Sequence, residues 1–328
     1  MARIVCLGAG TGQAQVLRGL RGVKGVALTA VVNVTDNGGH TGELRRVFGV
    51  PAVGDLRNVL EALVPEHSIL SHLLTHRFLR GKLDGTSLGN FLLVSLVERF
   101  GSLSKAAAFL TEQLDVPHRV LPASDASGEV CARLEDGKVI TGEWQIILRK
   151  PATPIRHLYH KPRLPATAEA LREIRRADLI VFAPGSLYTG LLSCALAEGI
   201  PQALRESRGR TVYLCNLMTQ PGQTLGFGAR RHVEVLTRHL GAPPDVVVLN
   251  SGAMSRWQLE RYGEEGAELV PDDLLELPGI EVRRADLVEP LSSVSARRPR
   301  GGKGRFHVRP HYIRHDPQKT ARLLQQLL

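Results

Sequence analysis

Apolar residues along this chain fall into two kinds of pattern. The first is short and continuous: Ile4–Leu7, Ala27–Val32 (with Val26 extending it), Leu179–Phe182, Val212–Cys215 and Val246–Leu249. Runs of this length with no polar alternation fit strands that are covered on both faces of a sheet. The second kind recurs at helical spacing, as in Val16, Leu17 and Leu20, then Leu56–Val64, Leu88–Arg99, Ala168–Arg176, Leu191–Glu198, His232–Leu240 and the terminal Gln318–Leu328. Strands alternating with helices predict a three-layer α/β fold, Rossmann-like, with a mainly parallel sheet.

The middle of the chain breaks this rhythm. Val120, Val130–Leu134, Val139–Thr141, Trp144–Leu148 and Ile155–His160 are short strand-like pieces, with Asp136-Gly137 as a hairpin turn. They predict a small antiparallel β insert, roughly residues 115–165, within a single Rossmann-like domain spanning 1–328. No internal repeat or low-complexity segment interrupts it.

Glycine-rich and polar loops follow the predicted strands. Gly8-Ala9-Gly10-Thr11-Gly12 makes a strand, glycine turn and helix in succession, a layout that sets a phosphate at a helix N-terminus. It departs from the dinucleotide fingerprint, with Gln13 where a third glycine belongs and Asn33 where an acid belongs. After the second strand come Asp36, Asn37, Gly38 and Gly39, then His40, Thr41, Arg45 and Arg46. Ala183-Pro184-Gly185-Ser186-Leu187-Tyr188-Thr189 and Cys215-Asn216-Leu217-Met218-Thr219-Gln220-Pro221-Gly222 also follow strands. Loops at the carboxyl ends of parallel strands gather on one edge, where open α/β sheets bind ligands. Asp55 opens a helix as its expected N-cap, with Arg57 and Asn58 in the first turn, and Ser87-Leu88-Gly89-Asn90 opens another. Each loop also has a plainer reading: Asp55 as a cap alone, Asn90 as a helix-entry residue, Gly185-Ser186 as a turn.

The chain has 328 residues, 43% of them hydrophobic, enough for a substantial core. No apolar run reaches membrane-spanning length and the N-terminus opens directly into a strand, so a cytoplasmic location is expected. Cys6, Cys131, Cys194 and Cys215 are far apart and flanked by apolar residues, which reads as buried hydrophobes rather than disulfides or zinc ligands. The formal charge is +10. Part of it lies in Arg297, Arg298, Arg300, Lys303, Arg305, Arg309 and Arg314, a basic stretch loosened by Gly301, Gly302 and Gly304. Residues 295–310 are therefore expected to be a basic flexible segment. Aromatics are only 5% and no nucleic-acid motif occurs, so the charge is read as a source of anion sites, with nucleic acid the weakest alternative.

In order along the chain, Gly-Ala-Gly-Thr-Gly, Asp-Asn-Gly-Gly-x-x-Gly-x-Leu-Arg-Arg, Pro-x-x-Gly-Asp-Leu-Arg-Asn, Ser-Leu-Gly-Asn, Pro-Gly-Ser-Leu-Tyr-Thr and Cys-Asn-Leu-Met-Thr-Gln-Pro-Gly resemble the gluconeogenesis-factor (YvcK-like) family, related to the 2-phospho-L-lactate transferases of deazaflavin-coenzyme synthesis. The resemblance implies a nucleotide-sugar ligand, UDP-N-acetylglucosamine, and a role in carbon metabolism, cell-wall precursor supply and cell shape. It implies ligand contacts from Gly10, Thr11, Gly12, Asp36, Asn37, Gly38, Gly39, Asp55, Arg57, Asn58, Asn90, Gly185, Ser186, Leu187, Asn216, Gln220 and Arg314. The transferase relatives carry adjacent acids in the central loop, suited to a divalent metal; Asn37 here weakens that site and argues for binding without catalysis. If the chain is an enzyme, Asp36 with Mg²⁺ is the expected centre; otherwise no cofactor is expected. There is no evident activated nucleophile. His40, where many members have serine, is either a ligand contact or, as expected here, a solvent-facing loop residue. The expected partners are the nucleotide sugar, an unidentified protein and a second copy in a homodimer.

Overall fold

The computed structural model describes residues 1–64, 69–149, 153–275, 277–290 and 313–328. The described strands are β1 (Ala2–Gly8), β2 (Val26–Val32), β3 (Arg119–Pro122), β4 (Glu129–Leu134), β5 (Val139–Thr141), β6 (Ile155–Lys161), β7 (Leu179–Phe182), β8 (Arg210–Leu214), β9 (Val246–Asn250) and β10 (Glu281–Ala285). Seven of them form one sheet in the order β10-β9-β8-β7-β1-β2-β3, with every neighbouring pair parallel. The remaining three form an antiparallel sheet, β5-β4-β6. The α/β reading of the hydrophobic pattern is therefore borne out.

Both faces of the large sheet are covered, which explains the continuous apolar runs. Ile4, Cys6, Leu28, Ala30 and Val181 face one core with helices α1 (Gly10–Leu20), α3 (Gly54–Leu63), α5 (Leu88–Phe100), α6 (Leu103–Gln113) and the terminal Pro317–Gln325. Val5, Leu7, Val31, Ile180 and Phe182 face the other, which also takes in residues of the antiparallel sheet such as Val130, Ala132 and Leu158. All four cysteines are free and buried, as their apolar neighbours indicated. Among the described residues, no helix is long and apolar enough to cross a membrane.

Two expectations for the insert are corrected. The piece at Val120 belongs to β3, the edge of the main sheet beside β2, so the antiparallel strands begin only at Glu129. Trp144–Leu148 is not a strand but part of a short helix, Glu143–Leu148. A strand there would bury residues 144, 146 and 148 together. Only Ile146 is buried, while Trp144 and Leu148 are exposed. The basic segment 295–310 lies outside the described residues.

Strand order fixes where a ligand can sit. From β1 the chain proceeds outward through β2 to β3, then returns to β7 on the other side of β1 and continues to β10. The reversal between β1 and β7 is a topological switch point, and the loops leaving the two strands diverge there to open a crevice.

Candidate functional site

The loops after β1 and β7 meet at this crevice by direct backbone packing. A Cβ on Gly12 would lie 1.9 Å from the carbonyl oxygen of Pro184, so this position admits glycine only. Gly12 thus joins the two loops, and Gly10 and Thr11 open α1 at the crevice. Gln13 holds the base of the turn: its amide donates to the carbonyls of Cys6 in β1 and Val31 in β2, both at 2.9 Å. That bridge is why a glutamine stands where the dinucleotide motif has glycine.

On one side of the crevice lies a group of acids. Asp36, in the loop leaving β2, accepts the Gly38 N–H at 2.8 Å and a hydrogen bond from Thr41. Asp55 is the second residue of α3 rather than its cap, since Val53 holds the cap position without a side-chain bond. Its carboxyl turns instead across the crevice to accept the Gly10 N–H. Burial first, then the charge on Asp36, pushes Asp55 up to about 7; burial raises Asp36 as well. The third acid, Glu143, comes from the first residue of the insert helix α7 (Glu143–Leu148, with Ile69–Thr75 as α4 and Gly39–Phe48 as α2 before it). Burial and the charges on Asp36 and Asp55 hold its carboxyl well above the usual range. The cations nearest these acids are already engaged. Arg45 forms an ion pair with Glu129 at 3.0 Å and donates to the carbonyls of Thr35, Asp36 and Gly128, while Arg57 pairs with Glu61 at 2.5 Å.

The other side is built from amides and hydroxyls that are already paired. Asn216, just past β8, clasps the Gly185 peptide: its Nδ2 donates to the Gly185 carbonyl at 2.6 Å and its Oδ1 accepts the Gly185 N–H at 3.4 Å. Gly185 sits at φ 141°, a conformation closed to most side chains. Gln220 Nε2 donates to the Ser186 hydroxyl at 3.1 Å, and its Oε1 is buried without a partner. Beyond Asn216 a cavity of about 250 Å³ opens between the ends of β8 and β9, lined by residues including Leu217, Asn250, Met254, Val270 and Asp272.

The family model for 2-phospho-L-lactate transferase CofD matches residues 4–288. The gluconeogenesis factor of Bacillus subtilis is 37% identical over 334 residues, covering 99% of this chain and 98% of that protein. The chain belongs to the CofD-like family that includes the gluconeogenesis factors. The gluconeogenesis factor of Halalkalibacterium halodurans is 38% identical over 282 residues, covering 85% of this chain and 87% of that one. A crystal structure of a Bacillus halodurans protein superposes with a TM-score of 0.88 at 34% identity, over 99% of both chains.

Against the family pattern, the position of Asn37 now has a structural account. Its Oδ1 accepts the Trp144 N–H at the start of α7 at 2.9 Å, and its Nδ2 donates to Glu129 at 2.9 Å and to Gln145 at 3.3 Å. An aspartate could make the first contact but would repel Glu129. Asn37 is thus a clasp between the central loop and the insert, and its side chain is committed there. The remaining expected positions divide. Gly38 and Gly39 lead into α2, and Asn90 presents a buried Oδ1 with no partner, a group suited to a ligand donor. Arg57 donates to Glu61 and to Asn58, so these two are tied to each other and to α3. Leu187 is buried in the core, leaving only its backbone for a ligand. Arg314 is carried on an extended piece whose carbonyl accepts the Glu289 N–H at 2.9 Å. His40 is corrected: it is buried in α2, with its ring 4.9 Å from that of Phe91. Glu143, Thr189 and Thr41 are site residues that motif reasoning did not assign. An acid directly after Gly142, a positive-φ turn residue, was the available signal for Glu143.

Among the described residues, no group of three or more His, Cys, Asp or Glu side chains is arranged to hold a metal ion. A Mg²⁺ ion would have to be completed by ligand phosphate oxygens, since it is commonly bound through one or two carboxylates with the rest of its shell from substrate and water.

Proposed function

We propose that this protein binds a nucleotide sugar, UDP-N-acetylglucosamine, and acts as a regulatory protein linking carbon metabolism to cell-wall precursor supply and cell shape, without catalysis. The observation that carries this reading is the division of the crevice. Paired amides and a cavity large enough for a base lie on one side, a group of buried acids on the other, and the start of α1 lies between them. The diphosphate would meet the N–H groups and dipole of α1, with Arg314 as its counter-charge. The commitment of Asn37 to the insert supports binding over metal-assisted turnover. A thermal-shift panel of UDP-N-acetylglucosamine, UDP-glucose, GDP and GTP, with and without Mg²⁺, tests it. A ligand at about a hundredfold over its dissociation constant adds roughly 2.7 kcal/mol, and no shift with any uridine nucleotide defeats the reading.

A second reading, a Mg²⁺-dependent 2-phospho-L-lactate transferase-like enzyme acting on a nucleotide diphosphate donor, is favoured by the family model and by the nearness of Asp36 to Asp55. Asp36 would then hold the metal or the acceptor hydroxyl. Turnover of a lactyl-diphosphoguanosine donor with a deazaflavin acceptor and Mg²⁺, lost in Asp36→Ala, would establish it.

A further inference from the structure

The antiparallel insert brings an acid with an unmet hydrogen bond to the crevice. Gly142, with φ 98°, turns the chain out of β5, and Glu143 follows as the first residue of α7. The helix is fixed from two directions: Ile146 is fully buried in the core beneath it, and Asn37 accepts the Trp144 N–H above it. Glu143 therefore has little freedom to swing away. Thr189, from the π-helical stretch Leu187–Leu192 after β7, is hydrogen-bonded to its carboxyl group, yet Oε2 is buried and has no partner. A buried carboxyl oxygen without a partner is costly, and such groups survive where a ligand supplies the missing bond.

The surroundings say which part of a ligand that is. The charges on Asp36, from the loop after β2, and Asp55, from α3, both act on Glu143. Arg45, the cation that reaches Glu143, is held by Glu129 and three carbonyls. Three carboxyl groups with no uncommitted cation among them offer a diphosphate no counter-charge. They suit an uncharged group rich in hydroxyl and amide hydrogens.

We propose that Glu143 is a specificity-determining residue that contacts the sugar of the bound nucleotide sugar, making the β insert part of the binding site and seating the sugar on the acid side of the crevice. The inference rests on the nucleotide-sugar reading above and adds the orientation of the ligand and the residue that selects it. Burial and the charges on its two acidic neighbours favour the neutral form of the Glu143 carboxyl, a form that both donates to an acetamido carbonyl and accepts from a hydroxyl.

Calorimetric titration of the full chain with UDP-N-acetylglucosamine and, separately, with UDP tests this in the wild type, Glu143→Ala and Glu143→Gln. UDP lacks only the sugar and its linkage, so it reports on every other contact. Glu143→Ala is expected to lose about ten- to a hundredfold in affinity for the sugar nucleotide while UDP affinity stays within about twofold. Glu143→Gln, neutral and of the same shape, is expected to stay within about fivefold of wild type for both. Equal losses for UDP and the sugar nucleotide in the alanine variant would make Glu143 a purely structural residue and overturn the proposal, as would unchanged affinity for both. A wild type that binds neither nucleotide overturns the nucleotide-sugar reading itself, a result separate from either of these.

Discussion

The two sides of the crevice are built on opposite principles. On the amide side every named polar group but one finds a partner within the protein: Asn216 is closed on Gly185 and Gln220 on Ser186, leaving only Gln220 Oε1 open. On the acid side, burial raises the proton affinity of Asp36, Asp55 and Glu143, the charge on Asp36 adds to it at Asp55, the charges on both add to it at Glu143, and Glu143 Oε2 is left without a partner. The first arrangement is rigid before any ligand arrives. The second is a local conflict that the rest of the fold must hold in place, which is the usual mark of a working site rather than of a stable core. The amide side therefore positions and the acid side discriminates.

The clasp that holds the acid side should give the largest effect. Asn37→Asp would set a carboxylate where the Asn37 amide now lies 2.9 Å from Glu129, and the repulsion should destabilise the fold by about 2–4 kcal/mol. Denaturant unfolding measures this; a midpoint equal to wild type would show that the insert is held by its core contacts alone.

Relieving the conflict should have the opposite sign and a smaller size. Asp55 in the folded protein titrates at about 7, above its ordinary 3.8. Below that lower value the carboxyl is neutral whether the chain is folded or not, and stability is undiminished. As pH rises toward the folded value, the unfolded chain gives up the proton that the folded protein keeps, so stability falls until the folded group also ionises. Asp55→Asn removes this dependence. It should raise stability by about 1–3 kcal/mol at a pH near 8 and leave it nearly unchanged near pH 4. Melting curves across that range decide the matter, and equal melting temperatures for the two proteins at the alkaline end would remove the conflict from the account. The smallest effect belongs to the amide side. Asn216→Ala frees the Gly185 peptide at the cost of about 1 kcal/mol, with no dependence on pH between these limits; a pH-dependent loss would mean that the two sides are not separate.

Much of this was readable in the chain. The runs at Ile4–Leu7, Val26–Val32 and Leu179–Phe182 announce strands buried on both faces, and the strands formed where those runs lie. The parallel-sheet rule then placed the loops after β1, β2, β7 and β8 on one edge. Shorter segments were less legible. A six-residue helix such as α7 presents too few turns to separate a period of 3.6 from one of 2, and Trp144–Leu148 matched both. Asp55 resembled a cap because acids favour helix starts, but the cap position fell two residues earlier. His40 looked like loop chemistry because nothing local shows that α2 turns it against Phe91 on α5. The role of Asn37 was hidden for a similar reason: its partner Trp144 lies 107 residues away, and only the folded chain brings the insert onto the central loop.

The central claim is an orientation: the sugar of UDP-N-acetylglucosamine on the acid side, the base toward Asn216 and Gln220. A crystal structure of the complex measures it directly. The account predicts the sugar within hydrogen-bonding distance of Asp36, Asp55 and Glu143, with the uracil in the cavity between the ends of β8 and β9. A complex with the uracil against the three acids, or with the diphosphate bridged to them by a metal ion, would contradict it.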